Sequence, residues 1–511
     1  MIWHVYFLSK ILFAMMGAVT LYAVANFALA MVCYWPIQQP RVARWRNAAA
    51  VAVGLALLVA EGTLPGWKQW PSALNALSQF SAHYWVELLW RLGSMPAALA
   101  WLGLVAMLWL FSRRYRVELW VLLLLIGMTF PMPWLVHRES KPAGSAIPAA
   151  SAQPPAMETF SKEQSELHMT SVRPPTLSTP DLAFIHVCSL GWDDMRHVGF
   201  SDAQFTQMFD VVLGQFNSVS SYSGPSMLRL VHGACGQLPH GQLYGEHGED
   251  CNLLQAYAHA GYGVQAWLNH NGRFDQFGTS LQANSPARIQ TVDDFTMLGR
   301  KLQAFDGSDL VDDEALLEHW WQGHEPQGKA RVLYYNTISL HDGNRALARS
   351  GAVPVDYQTR LRDLMQAIQK LVNLAKGSSR GLVLVLIPEH GAALRPQGIE
   401  IAGMRNSPWP TITHVPVGVR VVNASTGIPH PVLLQEPTSY LSLTTLIAGA
   451  MAAPRPLEGL QASVEKVPPV PWIADNGDRQ VAWHQHTTWV LNAQDKWNAV
   501  PGIRAIELPE P

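Results

Sequence analysis

Residues 182–188 read LAFIHVC, a short apolar run with a single histidine inside it and a cysteine at its end. Comparable runs recur as RVLYYNTISL (331–340), GLVLVLIP (381–388) and HVPVGVRVV (414–422). Continuous apolar stretches of this length read as strands buried on both faces of a parallel sheet. Helical patterns fall between them, most clearly in YQTRLRDLMQAIQKLVNLA (357–375), where apolar residues return every three or four positions and Gly377 follows as a stop signal. This alternation predicts an α/β sandwich with a central, largely parallel sheet over residues 181–511. In open sheets of that kind ligands gather beyond the carboxyl ends of the strands, so the residues just after each run are where chemistry is expected.

Those ends carry Cys188 after LAFIHV, His341 after YYNTISL, and Glu389 with His390 after GLVLVLIP. A thiolate, a carboxylate and an imidazole make an incomplete ligand set for one Zn²⁺, with a fourth position left for a nucleophile or substrate. Taken singly, each has a plainer reading: a cysteine ending a strand is usually core, and a Glu-His pair on a loop is usually solvated. Their shared placement favours a site. The candidate nucleophile is Ser223 in SSYSGPSMLRLVHG (220–233), where Gly224 and Pro225 lead into a helical pattern. A serine at a helix N-terminus sits where backbone N–H groups favour anions, and a metal on its hydroxyl would lower its pKa further. The plainer reading of Ser223 is an N-cap.

Outward from this core, the chain is 49% hydrophobic and 14% charged, against about 25% charged in soluble domains, so part of it is expected in lipid. Before residue 137 the apolar residues concentrate in four runs, Ile11–Trp35, Ala48–Ala60, Pro96–Phe111 and Val117–Val136. Four membrane helices are expected over residues 1–138, the second and third reaching spanning length only with flanking residues. Arg41, Arg44 and Arg46, and then Arg113, Arg114 and Arg116, mark the two cytoplasmic loops. Four crossings then export everything after Val136, while Trp67–Leu92, with Trp70, Trp85 and Trp90, suits an interfacial outer loop. The N-terminus lacks the basic region of a secretory signal, so no cleavage is expected. Residues 139–180, rich in Pro, Ala and Ser (KPAGSAIPAASAQPPA, VRPPTLSTP), read as a tether too polar to pack. A net charge of -2 and the lack of a basic stripe argue against a nucleic-acid partner.

Of the four cysteines, Cys33 lies in the first apolar run and reads as inert packing. Cys235 and Cys251 bracket the Gly- and His-rich HGACGQLPHGQLYGEHGEDC (232–251), and an oxidising compartment favours bridging such a pair. Cys188 is then left over, and the metal site gives it a role.

The order HVCSLGWDD, SYSGPS, TISLHDGN, PEHGAAL and GMRN resembles the alkaline-phosphatase-like superfamily, specifically its phosphoethanolamine transferases, over nearly the whole chain. Most of that superfamily carries a carboxylate at the first strand end, a threonine nucleophile and Asp-His at the later one. This chain departs at all three positions, and is similar instead to the branch acting in cellulose biosynthesis. That resemblance implies one Zn²⁺ held by Cys188, Ser223, Glu389 and His390, with His341 as general acid or phosphate contact and Tyr222 and Arg405 flanking the substrate phosphate. It implies transfer of phosphoethanolamine from phosphatidylethanolamine to glucose hydroxyls of nascent cellulose through a covalent Ser223 intermediate. It also implies a multi-pass protein of the bacterial inner membrane with a periplasmic catalytic domain, and a cellulose synthase complex as a further partner. Beside it stand a phosphoethanolamine transferase acting on another envelope glycan or lipid and two more distant rivals. In a sulfatase the S-G-P-S core would continue to Arg, where this chain has Met227, and a calcium site would be poorly served by Cys188. The other rival is a scaffold that only holds a synthase complex together, against which an intact ligand set argues.

Overall fold

Alternation along the apolar runs decides the layers. In β1 (Asp181–Val187), Leu182 and Phe184 face one hydrophobic core, while Ala183, Ile185 and Val187 face a second. The same division runs through β5 (Arg331–Thr337) and β6 (Leu382–Pro388), every residue of which is buried apart from Arg331. A sheet buried on both faces needs helices on both. Ser223–Val231 and Tyr440–Ala452 cover one side, and Asp313–Gln322 and Tyr357–Lys376 the other. The structure is a computed structural model describing residues 2–15, 21–61, 74, 77–92, 103, 107, 117–129, 153–169, 171–245, 248–323, 329–378, 380–398, 400–422, 431–492 and 494–509.

The sheet is completed by β2 (Val211–Asn217), β3 (Gly263–Leu268), β4 (Ile289–Gln290), β7 (His414–Val422) and β8 (Val432–Thr438), in the order β8-β2-β7-β6-β1-β5-β3-β4. It is mixed: β7 runs antiparallel to both its neighbours, and the remaining pairings are parallel. The expectation that HVPVGVRVV lies parallel with the other runs is therefore corrected. A parallel return would need a crossover to the far end of the sheet. Instead residues 389–413 stay at the carboxyl end of β6 and hand the chain straight back, with Leu386 opposite Gly418 and Leu382 opposite Val422. That choice keeps the whole loop at the end where the candidate ligands lie.

The chain divides into two compact units, Met1–Leu74 with Val86–Ile147, and Asn75–Trp85 with Pro148–Pro511. In the second unit, part of the expected tether is packed. Met157–Ser165 is a helix whose Phe160 is buried against Val470, Ile473, Ala482, Trp489 and Trp497, and Trp497 Nε1 donates to Pro155 O at 2.9 Å. Gln164 on the same helix is buried too and its Oε1 accepts from the Gln237 N–H at 2.9 Å, so the tether does not run unpacked to Pro180; residues 139–152 lie outside the described residues.

In the first unit, one helix among the described residues, Pro40–Glu61, is long and apolar enough to cross a membrane. The first apolar run contributes to Ile2–Met15 and Ala23–Tyr34, and the fourth to Val117–Thr129, all shorter than a span. Apart from Gly103 and Met107 the third run lies outside the described residues, as do Arg113, Arg114 and Arg116. Among the described residues the four-helix expectation is thus met by one helix of spanning length.

Candidate active site

Three strand ends and one helix start meet at the carboxyl edge of the sheet. Cys188 follows β1 directly, and its backbone N–H donates to Thr337 O on β5 at 2.9 Å. Glu389 follows β6 and donates from its backbone N–H to Val187 O at 2.8 Å, so the parallel register carries both residues to one level. Ser223 is the first residue of its helix, with Tyr222 as N-cap. Ser226 Oγ, one turn on, donates to Glu389 O at 2.9 Å and ties helix to loop.

Four donor atoms converge here. Cys188 Sγ lies 3.4 Å from Ser223 Oγ and 3.9 Å from His390 Nε2. Ser223 Oγ lies 3.4 Å from His390 Nε2, which is 3.8 Å from Glu389 Oε2. A tetrahedral zinc with bonds of about 2.0–2.3 Å has edges of about 3.3–3.8 Å. The fit extends to hydrogen bonding. Glu389 Oε2 is buried without a partner, whereas Oε1 accepts from Asn336 Nδ2 at 2.6 Å. A buried carboxylate oxygen left bare is costly unless a cation meets it. The His390 Nδ1 proton goes to Gly391 O at 2.9 Å, leaving the Nε2 lone pair for a metal.

Electrostatics give the same picture. Burial pushes the Cys188 thiol up to about 12 and raises the Glu389 carboxyl, while burial, followed by the Arg405 charge, drives His390 well below the usual imidazole range. Burial thus disfavours the charged form of all three groups. A divalent cation supplies the charge that a thiolate and a carboxylate need.

A surrounding shell holds these donors in place. Asn336 Nδ2 also donates to His186 O at 3.1 Å, and its Oδ1 meets His270 Nε2 at 2.9 Å. Asp194 accepts from the backbone N–H groups of Ala392 and Leu394, at 2.6 and 3.0 Å. Any Cβ at Gly391 would come within 2.8 Å of Asp194 Oδ2, so only glycine fits there. Neither Asn336 nor Asp194 stood out in the sequence reading. The signal for Asn336 was an amide inside an otherwise apolar strand, where it needs several partners.

Tyr222, Ser223, His341, His390 and Arg405 line one cavity that is partly open to solvent. Phe274, Asp275, Phe305 and Asp306 also line it. Arg405 Nη1 donates to Ser189 Oγ at 3.0 Å, and Tyr222 Oη donates to Asn406 Oδ1 at 3.3 Å. His341 gives its Nδ1 proton to Asp342 O at 2.7 Å, which leaves the Nε2 lone pair available. Burial and then the Arg405 charge lower its pKa to about 4.

Cys235 and Cys251 are bonded to each other, with S–S 2.03 Å and Cα–Cα 5.0 Å, whereas Cys188 and Cys33 are free and buried.

Comparison with known proteins supplies a family. Two proteins named "Cellulose biosynthesis protein BcsG" are similar: one from Salmonella typhimurium, 29% identical over 88% of this chain and 86% of its own length, and one from Escherichia coli, 28% identical over 87% and 86%. Two solved structures are more remote. A protein in the alkaline phosphatase superfamily from Vibrio parahaemolyticus is 16% identical over 65% of this chain and 81% of its own, at TM-score 0.46. The soluble domain of lipooligosaccharide phosphoethanolamine transferase A from Neisseria meningitidis is 16% identical over 57% and 94%, at TM-score 0.39. Family descriptions cover most of the sequence, the BcsG N-terminal domain matching residues 3–130 and the BcsG C-terminal domain residues 138–497. With Cys188, Ser223, Glu389 and His390 all inside the second match, this chain belongs to the cellulose biosynthesis protein BcsG family.

Proposed function

We propose that this chain is a zinc-dependent phosphoethanolamine transferase of cellulose biosynthesis, acting through Ser223. The observation that carries this reading is the convergence of Cys188 Sγ, Ser223 Oγ, Glu389 Oε2 and His390 Nε2 at tetrahedral spacing, one of them a hydroxyl at a helix N-terminus. Those four residues would hold one Zn²⁺, which as a Lewis acid lowers the pKa of the serine hydroxyl. Ser223, its hydroxyl proton already lost to solvent, attacks the phosphorus of phosphatidylethanolamine through Oγ. Its bond to phosphorus forms as the bond to the diacylglycerol oxygen breaks, and His341 protonates the departing oxygen. A glucose hydroxyl of cellulose then attacks the phosphoserine diester, gives its proton to His341 Nε2 and releases Ser223. Held near 4, His341 is neutral at physiological pH and suited to the second step. Its acid role in the first requires the substrate's phosphate anion to raise it.

Tyr222 and Arg405 flank the phosphate in this reading, Arg405 as the cation on the cavity wall. The N-terminal part, residues 1–138, supplies a multi-pass membrane domain, and the donor comes from that membrane. Residues 139–180 connect it to a periplasmic catalytic domain over 181–511, with the cellulose synthase complex as the natural partner. The test is mass spectrometry of the Ser223 peptide after incubation with labelled phosphatidylethanolamine. A phosphoethanolamine adduct on Ser223 is expected, and label transfer without one would overturn the covalent mechanism.

A further inference from the structure

Asn75–Trp85 lies in the sequence between two apolar runs, yet it belongs to the same compact unit as Pro148–Pro511. Phe80 stacks on Phe274 at 6.0 Å and 10°, and meets Phe305 edge-on at 5.9 Å. Tyr84 packs against Phe305 at 5.9 Å. Two hydrogen bonds pin the segment: the Ser81 N–H donates to Phe305 O at 3.1 Å, and Tyr84 Oη to Asp342 Oδ2 at 3.2 Å. Gly343, at φ +77°, makes room for the ring, since a Cβ there would lie 2.4 Å from Tyr84 Cδ2.

What these residues hold is the cavity wall. Phe305 stacks on His341 at 4.1 Å and 25°, and Phe274, Phe305 and His341 all line the cavity with Ser223. Asp342, gripped by Tyr84, is also the residue whose carbonyl takes the His341 Nδ1 proton. We propose that Phe80 and Tyr84 are positioning residues, a strap that sets the plane of the His341 ring through Phe305 and its edge through Asp342. The inference rests on the role given to His341 above. A catalytic imidazole whose supporting wall loosens by a fraction of an ångström loses rate rather than binding.

The test uses the full-length protein reconstituted with phosphatidylethanolamine. Phe80→Ala is expected to lower kcat by about tenfold or more, with KM for the lipid and zinc content unchanged. Phe80→Tyr, which keeps the ring, is expected to restore most of the rate. Tyr84→Phe, which removes only the hydroxyl, is expected to lower kcat by about threefold. A folded, zinc-loaded Phe80→Ala protein with wild-type kcat, or one altered in KM alone, would overturn the proposal.

A second variant covers the case in which Phe80→Ala does not fold. Phe80→Leu keeps an apolar side chain but removes the ring that stacks on Phe274 and meets Phe305 edge-on. It is expected to lower kcat by about threefold or more in folded, zinc-loaded protein, and wild-type kcat there would overturn the proposal. Hydrogen exchange in the peptides carrying Phe305 and His341 is expected to speed up in the same variant, and unchanged exchange would overturn the strap. Because exchange is read by peptide mass without turnover, it stands or falls separately from the Ser223 mechanism.

Discussion

Among the described residues, two groups of side chains offer metal-binding atoms within 4.8 Å of one another, Cys188–Glu389–His390 and His168–Cys235–Cys251. They share residue types and differ in what the atoms have left to give. In the second group the sulfurs are bonded to each other, and Cys235 Sγ meets His168 Nδ1, from an exposed histidine, at 3.1 Å. In the first all three residues are buried, the thiol is free, and one carboxylate oxygen has no partner. A metal site is thus recognised less by its residue types than by buried valences that nothing else satisfies.

Four experiments would break or sharpen that contrast. Ser223→Ala is expected to lower transfer by on the order of 10⁴-fold or more in protein whose circular dichroism is unchanged; substantial residual transfer would end the covalent reading. Next in size is Cys188→Ser, which exchanges a soft donor for a hydroxyl rarely ionised. Zinc affinity should fall by about 100-fold or more, with rate following zinc content by elemental analysis. If zinc and rate are unchanged, Cys188 is only a core cysteine. Asn336→Ala removes the partner of Glu389 Oε1 and is expected to weaken zinc binding by about 10- to 100-fold; unchanged affinity would make Asn336 a packing residue.

The smallest effect on activity is expected at the other cluster. The pair Cys235→Ser, Cys251→Ser opens a loop spanning 16 positions and should cost about 3 kcal/mol of stability, read by thermal denaturation, while zinc content and kcat stay at wild type. In unmodified protein both thiols should be alkylated only after reduction. Zinc lost along with this disulfide would show that the two clusters are coupled.

The core of the α/β unit was legible because burial on both faces writes itself into short sequence windows. LAFIHVC and GLVLVLIP read directly as strands, and Cys188, Glu389 and His390 follow from where those strands stop. Ser223 could be placed at a helix start because Gly-Pro after a serine is local turn chemistry. The helix around Phe160 was missed, since its composition is that of a tether and only one aromatic finds a partner, more than 300 positions away.

By itself, then, the sequence determined the apolar runs, their ends and the residues with chemistry at those ends, all properties set within a few positions by side-chain burial and backbone preference. Tertiary structure decided the rest. It turned β7 antiparallel, because an apolar run carries no record of strand direction. It set Asn336 beneath Glu389 and brought Phe80 and Tyr84 against Phe305, pairings between distant positions that no local pattern encodes. Such contacts exist only once the sheet has brought its strand ends together, because surface complementarity is a property of the packed chain.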